Sequence, residues 1–313
     1  MAHSRASEQG VRRQIAPSPL GAGGPPRARI RQHIRMRVGI LGLGLMGASL
    51  ALALRRARPA LTLVGRDPDP DTMRRARALG VIEDGDPRTA DVLFLAVPIA
   101  ALPEVLAGLA GHRGVVTDLA STKAHVMRWA TAAGVDLVGG HPMCGRELAG
   151  FDAADPDMFA GAPWVLTRDE PRVTDLVRAV GSLPVFLDPE HHDRLVAGVS
   201  HAAFVLSAAY VLALAGDPDW EEMQGVAGSG FRDVSRLAAG DPGLYAAIAS
   251  TNREHLAEAL RGVEAALARL RRHVEAGDGR LVELFEEARL ARERWARGAA
   301  GVQAAADERG GQR

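Results

Sequence analysis

Residues 37–50 read Arg37-Val-Gly-Ile-Leu-Gly-Leu-Gly-Leu-Met-Gly-Ala-Ser-Leu50: an apolar, β-rich run, then glycines at 42, 44 and 47, then helix-forming residues. The G-x-G-x-x-G spacing between a strand and a helix has a mechanical meaning. Gly42 permits a tight turn, Gly44 lets backbone approach a diphosphate, and Gly47 lets the helix pack close to the strand, with the diphosphate at the helix N-terminus. The chain has 35 glycines, so the spacing alone is weak evidence; its flanks make it informative. Leu45 and Met46 lie in the same turn and join the cofactor-binding candidates. Twenty residues past Gly47, Val64-Gly-Arg-Asp67 supplies the acidic residue expected at the end of a second strand. Asp67 can accept hydrogen bonds from ribose hydroxyls and would repel a 2′-phosphate, so NAD is favoured over NADP; the adjacent Arg66 can stack on adenine or grip that phosphate. Val97-Pro98 closes a third apolar run, where the nicotinamide ribose would lie.

From this fingerprint outward, short β-rich runs alternate with helical patterns to about residue 187. The strand signals are 38–41, 61–64, 92–97, 114–117, 136–138, 164–166 and 184–186, with helical segments at 48–58, 71–79, 99–110 and 123–133. Such alternation predicts a doubly wound α/β domain, a Rossmann-type parallel sheet covered on both faces, over residues 36–187. After Asp188-Pro189 the texture changes to long Ala, Leu, Arg and Glu stretches. They predict an all-α domain over 188–297 for substrate binding and dimerisation. Residues 1–35 and 298–313, polar and rich in Gly, are read as disordered ends, and the first carries no apolar core of a signal peptide.

Composition narrows the function. The 313 residues carry 38 basic and 38 acidic side chains, so no charge excess points to nucleic acid. One cysteine, Cys144, excludes an internal disulfide and a cysteine-based zinc cluster, and no metal site is expected; a reducing cytoplasm is the simplest compartment. The apolar run 195–216 is the single candidate for a membrane span, but Ser200, His201 and Ser207 interrupt it and acidic residues follow it. It reads instead as the centre of a bundle or a dimer interface, with no membrane partner. Lys123 is the sole lysine, so arginine clusters carry less information than usual here.

Three polar clusters break the apolar pattern: Asp118-Leu-Ala-Ser-Thr-Lys123, Gly139-Gly-His-Pro-Met-Cys-Gly-Arg-Glu-Leu-Ala-Gly150 and Gly228-Ser-Gly-Phe-Arg-Asp-Val-Ser-Arg236. The first two follow strands, and ligands bind at the carboxyl ends of strands in open α/β sheets. Together with GLGLMGASL, Ala96-Val-Pro98, Phe159–Thr167, the stretch HDRLVAGVSH ending at His201 and the run from Arg236 to Tyr245, they make residues 37–260 resemble the prephenate/arogenate dehydrogenase family.

The resemblance implies oxidative decarboxylation of prephenate to 4-hydroxyphenylpyruvate, in tyrosine biosynthesis, by an NAD-dependent homodimer. Taking hydride from a ring C4 alcohol requires a base for the hydroxyl proton, and His141 is the candidate. Ser121 would hydrogen-bond the same hydroxyl or the His141 ring, fixing its tautomer, or else cap the helix beginning near Lys123. Lys123 is either at the active-site wall or a solvated first-turn residue. A dicarboxylate substrate calls for a guanidinium, and Arg236 is the implied clamp. Arg232 and Arg236 share a helical face, Asp233 is able to pair with Arg236, and Tyr245 would line the pocket. His201, a core histidine on composition alone, moves to the pocket by resemblance. The family's Ser-His-Leu-Pro-His reads Ser200-His-Ala-Ala-Phe204 here, so its second histidine, tied to substrate recognition, is missing. Arogenate and 4-amino-4-deoxyprephenate therefore stay open as substrates. A β-hydroxyacid dehydrogenase shares the GLGLMG opening, and a non-catalytic dinucleotide sensor is the reading from another class. No chorismate mutase or ACT module is expected at either end.

Overall fold

The computed structural model describes residues 36–310; the extension expected over 1–35 lies outside them. Five parallel strands, β1 (Arg37–Leu41), β2 (Thr62–Arg66), β3 (Val92–Leu95), β4 (Val115–Asp118) and β5 (Leu137–Val138), form a sheet of order β2-β1-β3-β4-β5. Helices α1 (Leu45–Ala57), α2 (Pro70–Ala78), α3 (Leu102–Ala107) and α4 (Ala124–Ala132) connect these strands. The order reverses at β1, so the crevice for a ligand opens at the ends of β1 and β3. Strands β1, β3 and β4 are buried along nearly their whole length, as continuous Val, Ile and Leu runs require in a sheet covered twice.

The expectation of one parallel sheet is corrected in one respect. Residues Gly140–Pro142 form a strand, β6, that pairs antiparallel with β7 (Pro163–Leu166), and β7 pairs parallel with β8 (Leu183–Phe186) in a separate sheet. Helix α5 (Pro171–Ala179) lies between β7 and β8. Only Gly139 separates β5 from β6, so the chain changes sheets immediately before His141. Trp164 is fully buried, edge-on to Phe94 of the first sheet at 6.4 Å, and one apolar core joins the two sheets. Strand β3 also stops at Leu95, two residues short of expectation, because Pro98 cannot donate to a ladder and Ala96 carries the carbonyl that Gly42 packs against.

From Pro189 the chain is helical: α6 (Pro189–Val196), a π-helical turn (Ala197–His201), α7 (Ala202–Ala215), α8 (Trp220–Val226), α9 (Ser229–Ser235), α10 (Pro242–Thr251), α11 (Arg253–Ala276) and α12 (Arg280–Gly310). Asp-Pro pairs start α6 and α10, where Asp188 and Asp241 accept from the first-turn amides and the proline occupies the position whose amide is unbonded anyway. Gly277, at φ +62°, ends α11 in the left-handed conformation that glycine adopts without strain. The tail expected to be disordered from 298 is helical to Gly310, since Ala, Glu and Gln outweigh its glycines in helix propensity. Phe204 of α7 and Ile248 of α10 are buried in a second core with Leu95, Leu102 and Val116, which seats the helical half against the strand ends.

The stretch Pro189–Ala215 is long and apolar enough to cross a membrane. Its buried polar residues are nevertheless bonded within the fold. Ser207 Oγ donates to the Val234 carbonyl at 2.8 Å and accepts from the Ala238 amide at 2.9 Å, and His192 and Asp193 are committed as described next.

Candidate active site

At the end of β1 the glycine loop has the form a dinucleotide needs. A Cβ on Gly42, at φ +90°, would stand 2.3 Å from the Ala96 carbonyl oxygen, and one on Gly47 would stand 1.9 Å from that of Gly42. Gly44 faces open space, with no protein atom within 4 Å of an added Cβ. Helix α1 starts there with no side-chain cap and no acidic residue in its first turn, which leaves the amides from Leu45 and Met46 onward free to face an anion. Asp67 accepts from the Leu43 amide at 2.7 Å and the Asp69 amide at 2.9 Å, so its carboxylate braces the loop. Arg66 is exposed beside it, and Val97-Pro98 borders the crevice from the end of β3. The residues present fit a dinucleotide diphosphate.

Next to that crevice, β6 carries His141, buried to 7% exposure. The residue before it is held at both ends of its peptide group. Asp118 Oδ1 accepts from the Gly140 amide at 3.0 Å, while Lys123 Nζ donates to the Gly140 carbonyl at 2.6 Å and closes an ion pair with Asp118. Both charged side chains are fully buried. Burial pulls the Lys123 pKa down, and the Asp118 carboxylate opposes that fall. The expectations for Lys123 are therefore corrected: it is neither a pocket-wall residue nor solvated, because a desolvated ammonium needs a carboxylate partner more than it needs substrate.

His141 Nδ1 lies 2.9 Å from His192 Nε2, and His192 Nδ1 lies 2.7 Å from Asp193 Oδ1. Asp193 also accepts from the Lys123 amide at 2.7 Å and the Ala124 amide at 2.9 Å. Those amides open α4, so a carboxylate from α6 caps that helix, the task considered for Ser121. Burial raises the Asp193 pKa, but its hydrogen bonds from His192 and the two amides outweigh burial and hold the net value low. A carboxylate can only accept. His192 then carries its proton on Nδ1 and accepts at Nε2, so His141 donates from Nδ1 and keeps the lone pair of Nε2 free. The arrangement leaves the Nε2 lone pair of His141 free, and it is His192, not Ser121, that hydrogen-bonds the His141 ring. The Ser121 hydroxyl makes no hydrogen bond among the described residues; it sits half-buried beside the site. Burial, reinforced by His192, Lys123 and His201, keeps the His141 pKa well below 6.5.

His201, in the π-helical turn, is 1% exposed and accepts from the Asn252 amide, with Nδ1 and Nδ2 3.1 Å apart. Burial brings its pKa down to about 4. Below pH 6.5 the unfolded chain binds a proton that folded His201 refuses, so stability falls as pH drops from 6.5 to about 4, by up to about 3 kcal/mol from this residue. Urea unfolding at pH 7 and pH 5 should show the loss in the wild type and a smaller one in His201→Gln; equal losses would remove His201 from that account.

Phe204 lies 6.0 Å from His201, and Tyr245 stacks on Phe204 at 4.1 Å. Tyr245 donates to the Leu237 carbonyl at 3.0 Å, so its hydroxyl is already engaged within the fold. Glu147 and Arg236 both act on its titration, which places their ion pair beside it. Arg236 lies past the end of α9, in a 3₁₀ turn, and pairs with Glu147 of the loop after β6; the pairing expected with Asp233 does not form, because α9 ends at Ser235 and turns the guanidinium toward the sheet domain. Cys144 is partly buried and its thiol is pushed up to about 12, which makes it a poor nucleophile. His192, Asp193, Asn252 and Glu147 were not singled out from sequence as functional. An adjacent His-Asp pair opening an apolar helix was the available signal, but nothing in the sequence shows that it reaches a strand 51 residues away.

Two family models match this chain: "Prephenate dehydrogenase, nucleotide-binding domain" over residues 50–183 and "Prephenate dehydrogenase, dimerization domain" over residues 188–287. A cyclohexadienyl dehydrogenase of Zymomonas mobilis is 31% identical, over 82% of this chain and 94% of its own. Among solved structures, Synechocystis arogenate dehydrogenase superposes with a TM-score of 0.71 at 30% identity, covering 83% of this chain and all of that one. Prephenate dehydrogenase from Aquifex aeolicus, in complex with hydroxyphenyl propionate and NAD+, gives 0.76 at 27% identity over 83% of this chain and 98% of that one.

Proposed function

Because this chain belongs to the prephenate dehydrogenase family and is an NAD-dependent oxidoreductase, we propose that it converts prephenate to 4-hydroxyphenylpyruvate and CO2 in the cytoplasmic synthesis of tyrosine. The observation that carries this reading is the free Nε2 lone pair of His141, set by His192 and Asp193, at the edge of the dinucleotide crevice. NAD+, when bound, supplies the hydride acceptor. His141 Nε2 takes the C4 hydroxyl proton, and the imidazolium that forms is stabilised through His192 by the Asp193 carboxylate. Ser121 faces the same hydroxyl. Loss of the ring carboxylate as CO2 then gives an aromatic ring, and burial of the site keeps water from the reacting carbon.

Arg236 is proposed to hold a substrate carboxylate, which competes with Glu147 for the guanidinium. A charge-assisted hydrogen bond is worth about 1.5–3 kcal/mol, so Arg236→Ala is expected to raise KM about 10- to 100-fold and change kcat less. An unchanged KM would refute the clamp. Phe204 supports a second reading: with an aromatic ring where the family has a histidine, the wall near the substrate's far end carries one cationic donor fewer. That favours a substrate of lower negative charge at that end, arogenate; 4-amino-4-deoxyprephenate, the amino analogue of prephenate, differs at C4 instead. Cofactor reduction measured with prephenate, arogenate and 4-amino-4-deoxyprephenate separates the three. Tight NAD+ binding with none of them oxidised would overturn the catalytic reading.

The helical half leaves large apolar side chains exposed, among them Leu212 at 73%, Val282 at 74% and Trp295 at 63%. Such patches on α7 and α12 mark association surfaces. With the matched dimerisation domain, they support a homodimer formed through these helices.

A further inference from the structure

Asn252 closes the junction of α10 and α11 and is 4% exposed. Its amide nitrogen stands 2.7 Å from the backbone carbonyl of Asp193 and 3.1 Å from His201 Nδ1. A backbone carbonyl only accepts, so nitrogen, not oxygen, must face it. The second hydrogen on that nitrogen then points at His201 Nδ1, which must be the acceptor, and the ring's own hydrogen resides on Nε2. Neighbouring bonds anchor the fork: Thr251 Oγ1 lies 3.0 Å from Thr122 Oγ1, and Asp193 is already fixed by the amides of α4.

We propose that Asn252 is a positioning residue that locks His201 in its Nε2–H tautomer and so presents an uncharged hydrogen-bond donor, beside Ser121, to an oxygen of the bound substrate. The proposal rests on reading the cleft around His141 as the site of oxidation. His201 Nε2 is buried and has no hydrogen-bond partner among the described residues, although the Ser121 carbonyl is close enough to favour a proton on the ring. Buried donors in native interiors are ordinarily paired; the Ser121 carbonyl falls short of a full hydrogen bond here, and an oxygen of the ligand completes it. The titratable groups around it are Asp193, which favours the cation, and His192 and His141, which oppose it. The ring therefore stays neutral, and its tautomer is decided by the one neighbour that donates to it. A neutral donor accepts substrates across the whole neutral pH range; a second cation there would make binding titrate.

The test replaces the donor by an acceptor of the same shape. In Asn252→Asp the carboxylate has no hydrogen for His201 Nδ1, so that nitrogen takes up a proton itself. Nitrogen-15 spectra of histidine-labelled full-length protein with NAD+ bound, the His201 signal identified by its loss in His201→Gln, are expected to show Nε2–H with unprotonated Nδ1 in the wild type. In Asn252→Asp, Nδ1 becomes protonated, and kcat/KM gains an ionisation near neutral pH. Asn252→Ser, which is too short for either bond, is expected to show mixed tautomers and carries the test if the aspartate variant does not fold. A purely structural asparagine would lower kcat without adding an ionisation. Nδ1–H in the wild type, or an unchanged Nε2–H pattern in the variants, overturns the proposal. A locked tautomer in a protein that oxidises none of the three cyclohexadienyl acids would leave the lock standing and defeat the substrate reading instead.

Discussion

His141→Asn is expected to lower turnover by about 10²–10⁴-fold, the range a positioned general base contributes, with NAD+ affinity within about twofold of the wild type because the glycine loop and Asp67 lie on other strands. Asparagine keeps a hydrogen-bonding group near His192 but has no basic lone pair. Stopped-flow reduction of bound NAD+ checks the rate, and fluorescence titration checks the affinity. The pH profile gives an independent reading. Neutral His141 is the working form, and burial holds its pKa well below 6.5. Activity is therefore complete at neutral pH and is lost only as pH falls through that depressed value. An acid limb at or above pH 6.5, or near-normal turnover in the variant, would displace His141 from the role. Because the chain His141–His192–Asp193 works as a unit, His192→Ala should fall by a similar factor, and the double variant little further.

Much of this was legible in the sequence where the physics is local. The glycine loop was readable because Gly42 and Gly47 are demanded by contacts with residues that a βαβ unit must bring near, the Ala96 and Gly42 carbonyls. The change from period-two runs to helical spacing at Asp188 was readable for the same reason, with an Asp-Pro cap marking the start of α6. What escaped was set by tertiary contact. Three residues, Gly140–Pro142, carry no periodicity, so β6 is visible only once β7 is beside it. Lys123 looked like a first-turn residue because its burial comes from Asp118 and from β6, not from its own helix. Ser121 looked like both a cap and an orienting group; the residue that caps α4, Asp193, lies 70 positions from Lys123 and belongs to another helix. Arg236 reads from spacing as sharing a helical face with Arg232 and able to pair with Asp233, but it lies in a 3₁₀ turn past α9 and its partner, Glu147, is 89 residues away, beyond any helical spacing rule.

Lys123→Met is expected to cost about 3–5 kcal/mol of stability, because removing one member of a buried pair leaves the other charge uncompensated. Asp118 would keep only the Ala120 and Gly140 amides, each at 3.0 Å, against full burial. Set against a total of about 5–15 kcal/mol for a typical fold, the urea midpoint should shift markedly; a loss below about 1 kcal/mol would mean that the pair is not desolvated as described. Stability and position then separate in a second variant. Replacing both members, Lys123→Met with Asp118→Asn, removes the net buried charge while keeping an oxygen for the Gly140 amide, and such replacements are often neutral or better. The double variant should recover most of the lost stability. It should not recover turnover, because the ammonium that donates to the Gly140 carbonyl at 2.6 Å is gone, and the peptide that fixes the start of β6, one residue before the base, loses that charged anchor. If stability and turnover return together, the ammonium serves the fold alone. If stability returns and turnover does not, the sole lysine of the chain belongs to the catalytic geometry through Gly140, without touching substrate.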